Sequence, residues 1–255
     1  MKSILRDVGE IIWGTDSRLA HTLRDYINPG IYTRNWLDKK QARYISPVKM
    51  FLIINLVYFL SLSVLYQYGL GFDTFVTSFN TQMQNQFYSD LISDRALSLI
   101  ESGGYETEEF AQLYNDRVFA VSNTLIIIFA LLIAVVLYIV NYRKSSLVYH
   151  HITMGLYYGG YVLIFFLAFN LLLSAVILLF QSHVNYDIWQ IMVELGAFLF
   201  YLVFSFVTQR RMYEEHGIVS FLKSIAIIFL ITLMGIIFYR FILFWITMAS
   251  VLMFS

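Results

Sequence analysis

The sequence predicts an all-α integral membrane bundle of about five transmembrane helices, with an interfacial helical leader and a small helical extracytoplasmic cap. Three observations predict it. Hydrophobic residues make up 59% of the 255 positions and charged residues only 13%, about half the charge of an ordinary soluble domain. The charges leave five long apolar stretches, each near or above the ~20 residues that cross a ~30 Å hydrocarbon core as a helix. The only prolines, Pro29 and Pro47, precede or open the first stretch, so nothing breaks the later helices.

The leader, residues 1–46, comes first. In MKSILRDVGEIIWGTDSR charges interrupt the apolar residues, so no signal-peptide core is expected. In SRLAHTLRDYI, Leu19, Leu23, Tyr26 and Ile27 fall on one helical stripe, with Ser17 as N-cap and Asn28-Pro29-Gly30 as the terminating turn. The next stretch sets Arg34, Lys39, Lys40 and Arg43 beside Trp36 and Tyr44, a composition suited to anionic lipid headgroups. A nucleic-acid partner is not expected, because a basic face beside a span is the ordinary topology signal.

The remainder, residues 47–255, reads as the membrane domain. A first span over 48–68 leads to a polar loop, 69–117. There Phe72, Phe75/Val76, Phe79, Met83, Phe87 and Leu91 recur every three to four residues and predict an amphipathic helix of several turns. Ser102-Gly103-Gly104 stops the next helical stretch, and Thr107, ahead of Glu108 and Glu109, is the expected cap of a further helix. Spans follow over 118–142, 152–182 and 188–208, and a fifth begins near Phe221. None alternates with period two, as barrel strands would. The last stretch, 224–255, holds one charge, Arg240. A single helix there would be about 48 Å long. It is expected to project past the headgroups and to be covered by the acidic loop or by another subunit.

Charge sets the orientation. Of 17 Lys and Arg, nine lie in residues 1–49 and five more in the loops after the second and fourth spans. That places the N-terminus in the cytoplasm and the C-terminus outside, in a bacterial cytoplasmic membrane. With no cysteine, disulfides, thiolate metal sites and Cys nucleophiles are excluded.

The stretch HTLRDYINPGIYTRNWLDKKQARYISPVKMFLIINLVYFL resembles the leading segment of a family of uncharacterised bacterial multi-pass membrane proteins, a domain of unknown function. The resemblance rests on Thr22, Leu23, Asp25, Pro29, Gly30, Arg43, Tyr44 and Pro47, with looser matches in VYHHITMGLYYGGYVLIFF and RRMYEEHGIVSFLKSIAIIF. Relatives often begin with a zinc ribbon, which this chain lacks. Where they carry Glu-His and further histidines, this chain has His150-His151, then Tyr157 and Gly159. The resemblance implies an architecture and no activity.

Three sets of candidate residues remain. Asn170, Glu194 and Arg240 fall at similar depths in the outer leaflet, where ionisable groups suggest a pathway or a partner. A structural Glu194–Arg240 pair, or Arg240 reaching for the headgroups, is the plainer alternative. His150, His151, Glu215 and His216 are metal-ligand types on inner loops, but no HExxH spacing joins them. Gly155, Gly159 and Gly160 suit close helix packing, within the chain or between copies. No Walker A loop, G-x-S-x-G elbow or dinucleotide fingerprint occurs. The sequence therefore favours a cofactor-free, non-enzymatic membrane component that binds partners and self-associates. A channel or transporter for ions or small solutes is the second reading, and a metal-dependent membrane enzyme the third.

Overall fold

The computed structural model describes residues 17–67, 75–84, 88–144, 147–180 and 186–254. The described residues are 87% helical, and no strand occurs among them. We label the helices α1 Ser17–Ile27, α2 Ile31–Leu37, α3 Pro47–Gln67, α4 Phe79–Met83, α5 Ser89–Ser102, α6 Thr107–Asn141, α7 Val148–Phe180, α8 Tyr186–Tyr213, α9 Gly217–Met234 and α10 Arg240–Phe254.

Among the described residues, four segments have the length and composition to cross a membrane: Gln41–Gln67, Thr107–Asn141, Val148–Leu178 and Gly217–Met253. The expected span at 188–208 lies within α8, which is not one of the four and whose side chains are described only from Leu195 onward. Helix α3 shows why these segments belong in lipid. Phe51, Ile54, Tyr58 and Leu62 are buried in the bundle, while Leu52, Leu56, Leu60 and Val64 point away from it. A helix apolar on both sides is stable only where the surroundings are apolar too.

Small residues set the closest approach. A Cβ on Gly155 would lie 2.6 Å from the Ala130 carbonyl oxygen and 2.7 Å from the Ala134 Cβ. One on Gly159 would lie 3.0 Å from the Ala130 Cβ and 3.1 Å from the Phe51 ring. Small residues on both sides thus let α6 and α7 touch nearly backbone to backbone.

The cap differs from expectation in two respects. Residues 75–78 are not helical; Phe75 instead drives into the bundle, its ring 5.3 Å from that of Phe129 and 5.7 Å from that of Phe166. The Phe75 carbonyl accepts from the Ser122 hydroxyl at 3.1 Å. Non-helical backbone at this depth persists because the protein itself satisfies it. Ser78 then caps α4, its hydroxyl accepting from the Thr81 N–H at 3.3 Å. An aromatic every three to four residues fits a helix stripe, and it fits equally a chain that inserts one ring and then starts a short helix. Phe72 and Phe87 lie outside the described residues, as does the Leu91 side chain. Gly104, at φ +79°, ends the α5 turn as expected, but the cap residue of α6 is Glu106, not Thr107.

The last stretch is one continuous helix from α9 into α10, as expected, with a π-helical turn at Gly235–Tyr239 between them. That turn sets the Tyr239 hydroxyl 3.2 Å from Ser122 Oγ. The far half is covered by the cap: Phe244 stacks on Phe79 and Tyr114, Phe241 meets Tyr88, and Leu252 lies against Gly103.

Candidate functional site

The leader is docked onto the end of the bundle opposite the cap. Its own bonds close locally first. The Thr22 hydroxyl donates to the Arg18 carbonyl at 2.6 Å and accepts from the Ile45 N–H at 2.9 Å. The Tyr32 hydroxyl donates to the Ile45 carbonyl at 2.7 Å. The Asp25 carboxylate accepts from the Tyr44 hydroxyl at 2.5 Å and from the Asn35 amide at 3.3 Å. Thr22 and Tyr26 are therefore the buried stripe of α1, while Leu23 and Ile27 are 45% and 74% exposed. That reverses part of the expected stripe. A Thr with both hydroxyl bonds made is as good a core residue as a Leu, and sequence spacing cannot see those bonds.

Tyrosines then join the leader to α7. The Tyr26 hydroxyl donates to the Tyr157 carbonyl at 3.2 Å, and the Tyr161 hydroxyl donates to the Tyr26 carbonyl at 2.5 Å. The Gly30 N–H donates to the Tyr157 hydroxyl at 3.0 Å. Gly30 sits at φ +81°, where a side chain is strained, and its missing Cβ faces Thr208 and Arg211 at 3.3 Å. Gly160 faces the Tyr26 hydroxyl, which occupies the place a Cβ would take. Burial pushes the Tyr26 phenol well above its ordinary pKa and raises that of Tyr32 as well.

Between the docked leader and the bundle lies a cavity of about 330 Å³, lined by Arg34, Leu37 and Asp38 on one side and by Lys144, His150, Met154, Met212, Tyr213 and Glu214 on the other. Arg34 crosses it. Its guanidinium donates to Glu214 at 2.8 Å and to the Arg211 carbonyl at 3.2 Å, and Asp38 lies 3.9 Å away. The Arg211 guanidinium returns a bond to the Pro29 carbonyl at 2.7 Å. Glu214 holds φ +50°, uncommon for a residue with a side chain. Behind Lys144 runs a partly buried charge relay. Glu215, its side chain 4% exposed, lies 3.9 Å from Lys144 and 2.6 Å from Lys223, and Lys223 also donates to the Asn141 amide oxygen at 3.0 Å. The second Glu215 oxygen and the Asn141 amide nitrogen have no hydrogen-bond partner among the described residues.

The residues singled out from the sequence fall as follows. Asn170 is buried and bonded within its own helix, donating to the Phe166 carbonyl at 2.8 Å. Arg240 is half-buried, and its carbonyl accepts from Gln82 at 3.4 Å. The Glu194 side chain lies outside the described residues. His151 is buried edge-on to Tyr138, His150 lines the cavity, and Glu215 is paired with Lys223. Among the described residues no three His, Asp or Glu side chains are grouped to hold a metal ion. Gly155, Gly159 and Gly160 all pack within the chain. Lys39, Lys40 and Arg43 are exposed, and Arg34, half exposed, lines the cavity and pairs with Glu214. Spacing alone did not single out Tyr161 or Lys144. The one signal available was Tyr157 and Tyr161 flanking Gly160 on a single helical face.

A family described as "Protein of unknown function (DUF3667)" matches residues 16–59, which carry α1, α2 and the start of α3. No similar curated protein and no similar solved structure was found.

Proposed function

We propose that this protein is a non-enzymatic component of a bacterial cytoplasmic membrane that binds a charged ligand or partner group in its leader-side cavity, with that side in the cytoplasm. The orientation follows from the concentration of Lys and Arg at this end. One observation carries the binding role: the cavity is bounded by three remote chain segments, and Arg34 is held across it by two separate bonds. Basic residues that serve only to orient a protein need no fixed geometry. A preorganised pair of opposite charges beside an apolar floor of Leu37, Met154 and Met212 is what recognition of a small group requires. The exposed Lys39, Lys40 and Arg43 supply a second, looser contact with anionic headgroups. Self-association, where it occurs, uses a face other than the three glycines.

Native mass spectrometry of the full chain released from nanodiscs made with total bacterial lipid tests this reading. Wild type is expected to carry a non-covalent adduct that Lys144→Ala and Arg34→Ala lose. Equal adducts in all three would overturn it. The same spectra read subunit count. A transport role is the second reading, favoured by the unpartnered Glu215 and Asn141 atoms, which call for ordered water within the bundle. Solute flux into liposomes that disappears in Glu215→Gln would select it.

A further inference from the structure

We infer that the leader-side cavity recognises an aminophosphate zwitterion, a phosphate and a primary ammonium a few bonds apart, as in an ethanolamine phospholipid headgroup or free phosphoethanolamine. The inference rests on the binding role proposed above and names its ligand class.

Charge pattern argues first. The cavity wall carries two cations, Arg34 and Lys144, and two carboxylates, Asp38 and Glu214. A simple anion would gain the cations and be repelled by the acids; a simple cation would meet the reverse. A ligand bearing both signs satisfies both pairs.

Spare bonding capacity argues second. Arg34 is largely spent on Glu214 and the Arg211 carbonyl. The Lys144 side chain is 49% exposed, and its Glu215 contact, at 3.9 Å, is too long for a hydrogen bond. It is therefore the ammonium able to turn to a phosphate. Asp38 likewise meets Arg34 only at 3.9 Å, which leaves its oxygens to accept from a ligand N–H. Glu214 holds a left-handed backbone conformation that glycine adopts more cheaply, and what the residue gains is a carboxylate at this spot. Retained strain of this kind is characteristic of binding sites.

Depth argues third. Leu147, Val148 and Tyr149, at the start of α7, and Ile218, at the start of α9, are exposed apolar or aromatic side chains around this end of the bundle. The Trp36 indole donates to the Tyr149 hydroxyl at 2.7 Å. Trp and Tyr gather at the headgroup level, so the cavity opens where headgroups lie. Its 330 Å³ is room for roughly ten water molecules, enough for a headgroup and not for acyl chains.

The test uses the full chain in nanodiscs containing equal parts of ethanolamine, choline and glycerol phospholipids, read by native mass spectrometry. Wild type is expected to retain one ethanolamine lipid per chain in preference to the other two. Asp38→Asn, which keeps shape and both cations, and Lys144→Ala, at an exposed loop position, are each expected to lower that retention about tenfold. Titrating free phosphoethanolamine separates the sources: displacement of the lipid identifies the soluble zwitterion as a ligand, and retention identifies the lipid headgroup. Preference for the glycerol lipid that depends on Lys144 but not on Asp38 would overturn the zwitterion, and equal retention of choline lipid would overturn the primary ammonium; either leaves the binding cavity standing. Retention of no lipid in a way that either variant changes would overturn both.

Discussion

Gly160→Ala tests the docking of the leader at its tightest point. The added Cβ would fall on the Tyr26 hydroxyl and 3.2 Å from Ile54 Cδ1. A hydroxyl at the end of a free side chain would swing aside, but this one belongs to a ring 2% exposed, 4.9 Å from the ring of Tyr157 and 5.3 Å from those of Tyr32 and Tyr161. Overpacking a fixed site of this kind costs about 1–3 kcal/mol. The severest of these contacts is with the leader; where the cost falls there, the population with the leader undocked rises about 5–150-fold. Limited trypsin digestion of the protein in nanodiscs reads this population at the exposed Lys39, Lys40 and Arg43, because cleavage tracks the open fraction when reclosing is fast. The second variant, Tyr26→Phe, removes the obstructing oxygen and loses about 1 kcal/mol with its hydrogen bond. Combined with Gly160→Ala it is expected to cost less than the two changes summed. Cleavage within twofold of wild type in Gly160→Ala, or strict additivity in the double variant, would refute the reasoning.

Other perturbations follow from the same geometry. Gly155→Ala places a Cβ against the Ala130 and Ala134 backbone, which cannot rotate away, so it is expected to lower the thermal midpoint well below that of Gly217→Ala, whose Cβ meets open space; equal midpoints would contradict the packing. Lys39, exposed at φ +66°, is expected to gain about 1 kcal/mol on change to Gly, read as a higher thermal midpoint. Glu214→Gly relieves the same kind of strain but removes the Arg34 partner, so its leader should be cleaved faster despite the easier backbone. Alkali should also release the leader. Tyr26 and Tyr32 have pKa values raised by burial, so folding favours their neutral forms. The stability they contribute is full below the ordinary tyrosine pKa of about 10 and is lost as pH climbs from there towards the folded values. Protease sensitivity and tyrosinate absorbance should rise together, and Tyr32→Phe should move the transition.

Much of the architecture was legible in the sequence because lipid imposes a length and a composition that pattern reading can see. The helices at 47–67, 107–141 and 148–180, the stop at Gly103-Gly104 and the single long final helix all follow from runs of apolar residues and from the lack of breakers. What pattern reading misses shares one physical origin. The stripe expected on α1 includes Leu23 and Ile27, which are exposed, and omits Thr22, which is buried with its hydroxyl bonded to Arg18 and Ile45. Phe75 was read as one step of a helix stripe, yet its carbonyl is bonded by Ser122, 47 positions along the chain. Arg34, expected to meet lipid headgroups, stays half exposed and also pairs with Glu214, 180 positions away. In each case a specific polar bond to a residue outside the local helical stripe is involved, and a hydrophobic pattern carries no information about such bonds.

That distinction bears on what the match over residues 16–59 transmits. The bonds that shape the leader close within it: Thr22 to Ile45, Asp25 to Tyr44 and Asn35, Tyr32 to Ile45. Contacts so close in sequence cost little loop entropy and form early, so the leader can take its shape before it docks. The tyrosine ladder and the cavity are different in kind. Each is half leader and half later helices, with Arg34, Leu37 and Asp38 inside the matched segment and Lys144, His150, Met212 and Glu214 outside it. The match therefore reaches one wall of the cavity and not the other. In this chain the opposite wall supplies Lys144 and Glu214, the second cation and the second carboxylate, and it is that addition which turns a basic leader into a site that reads both signs of charge.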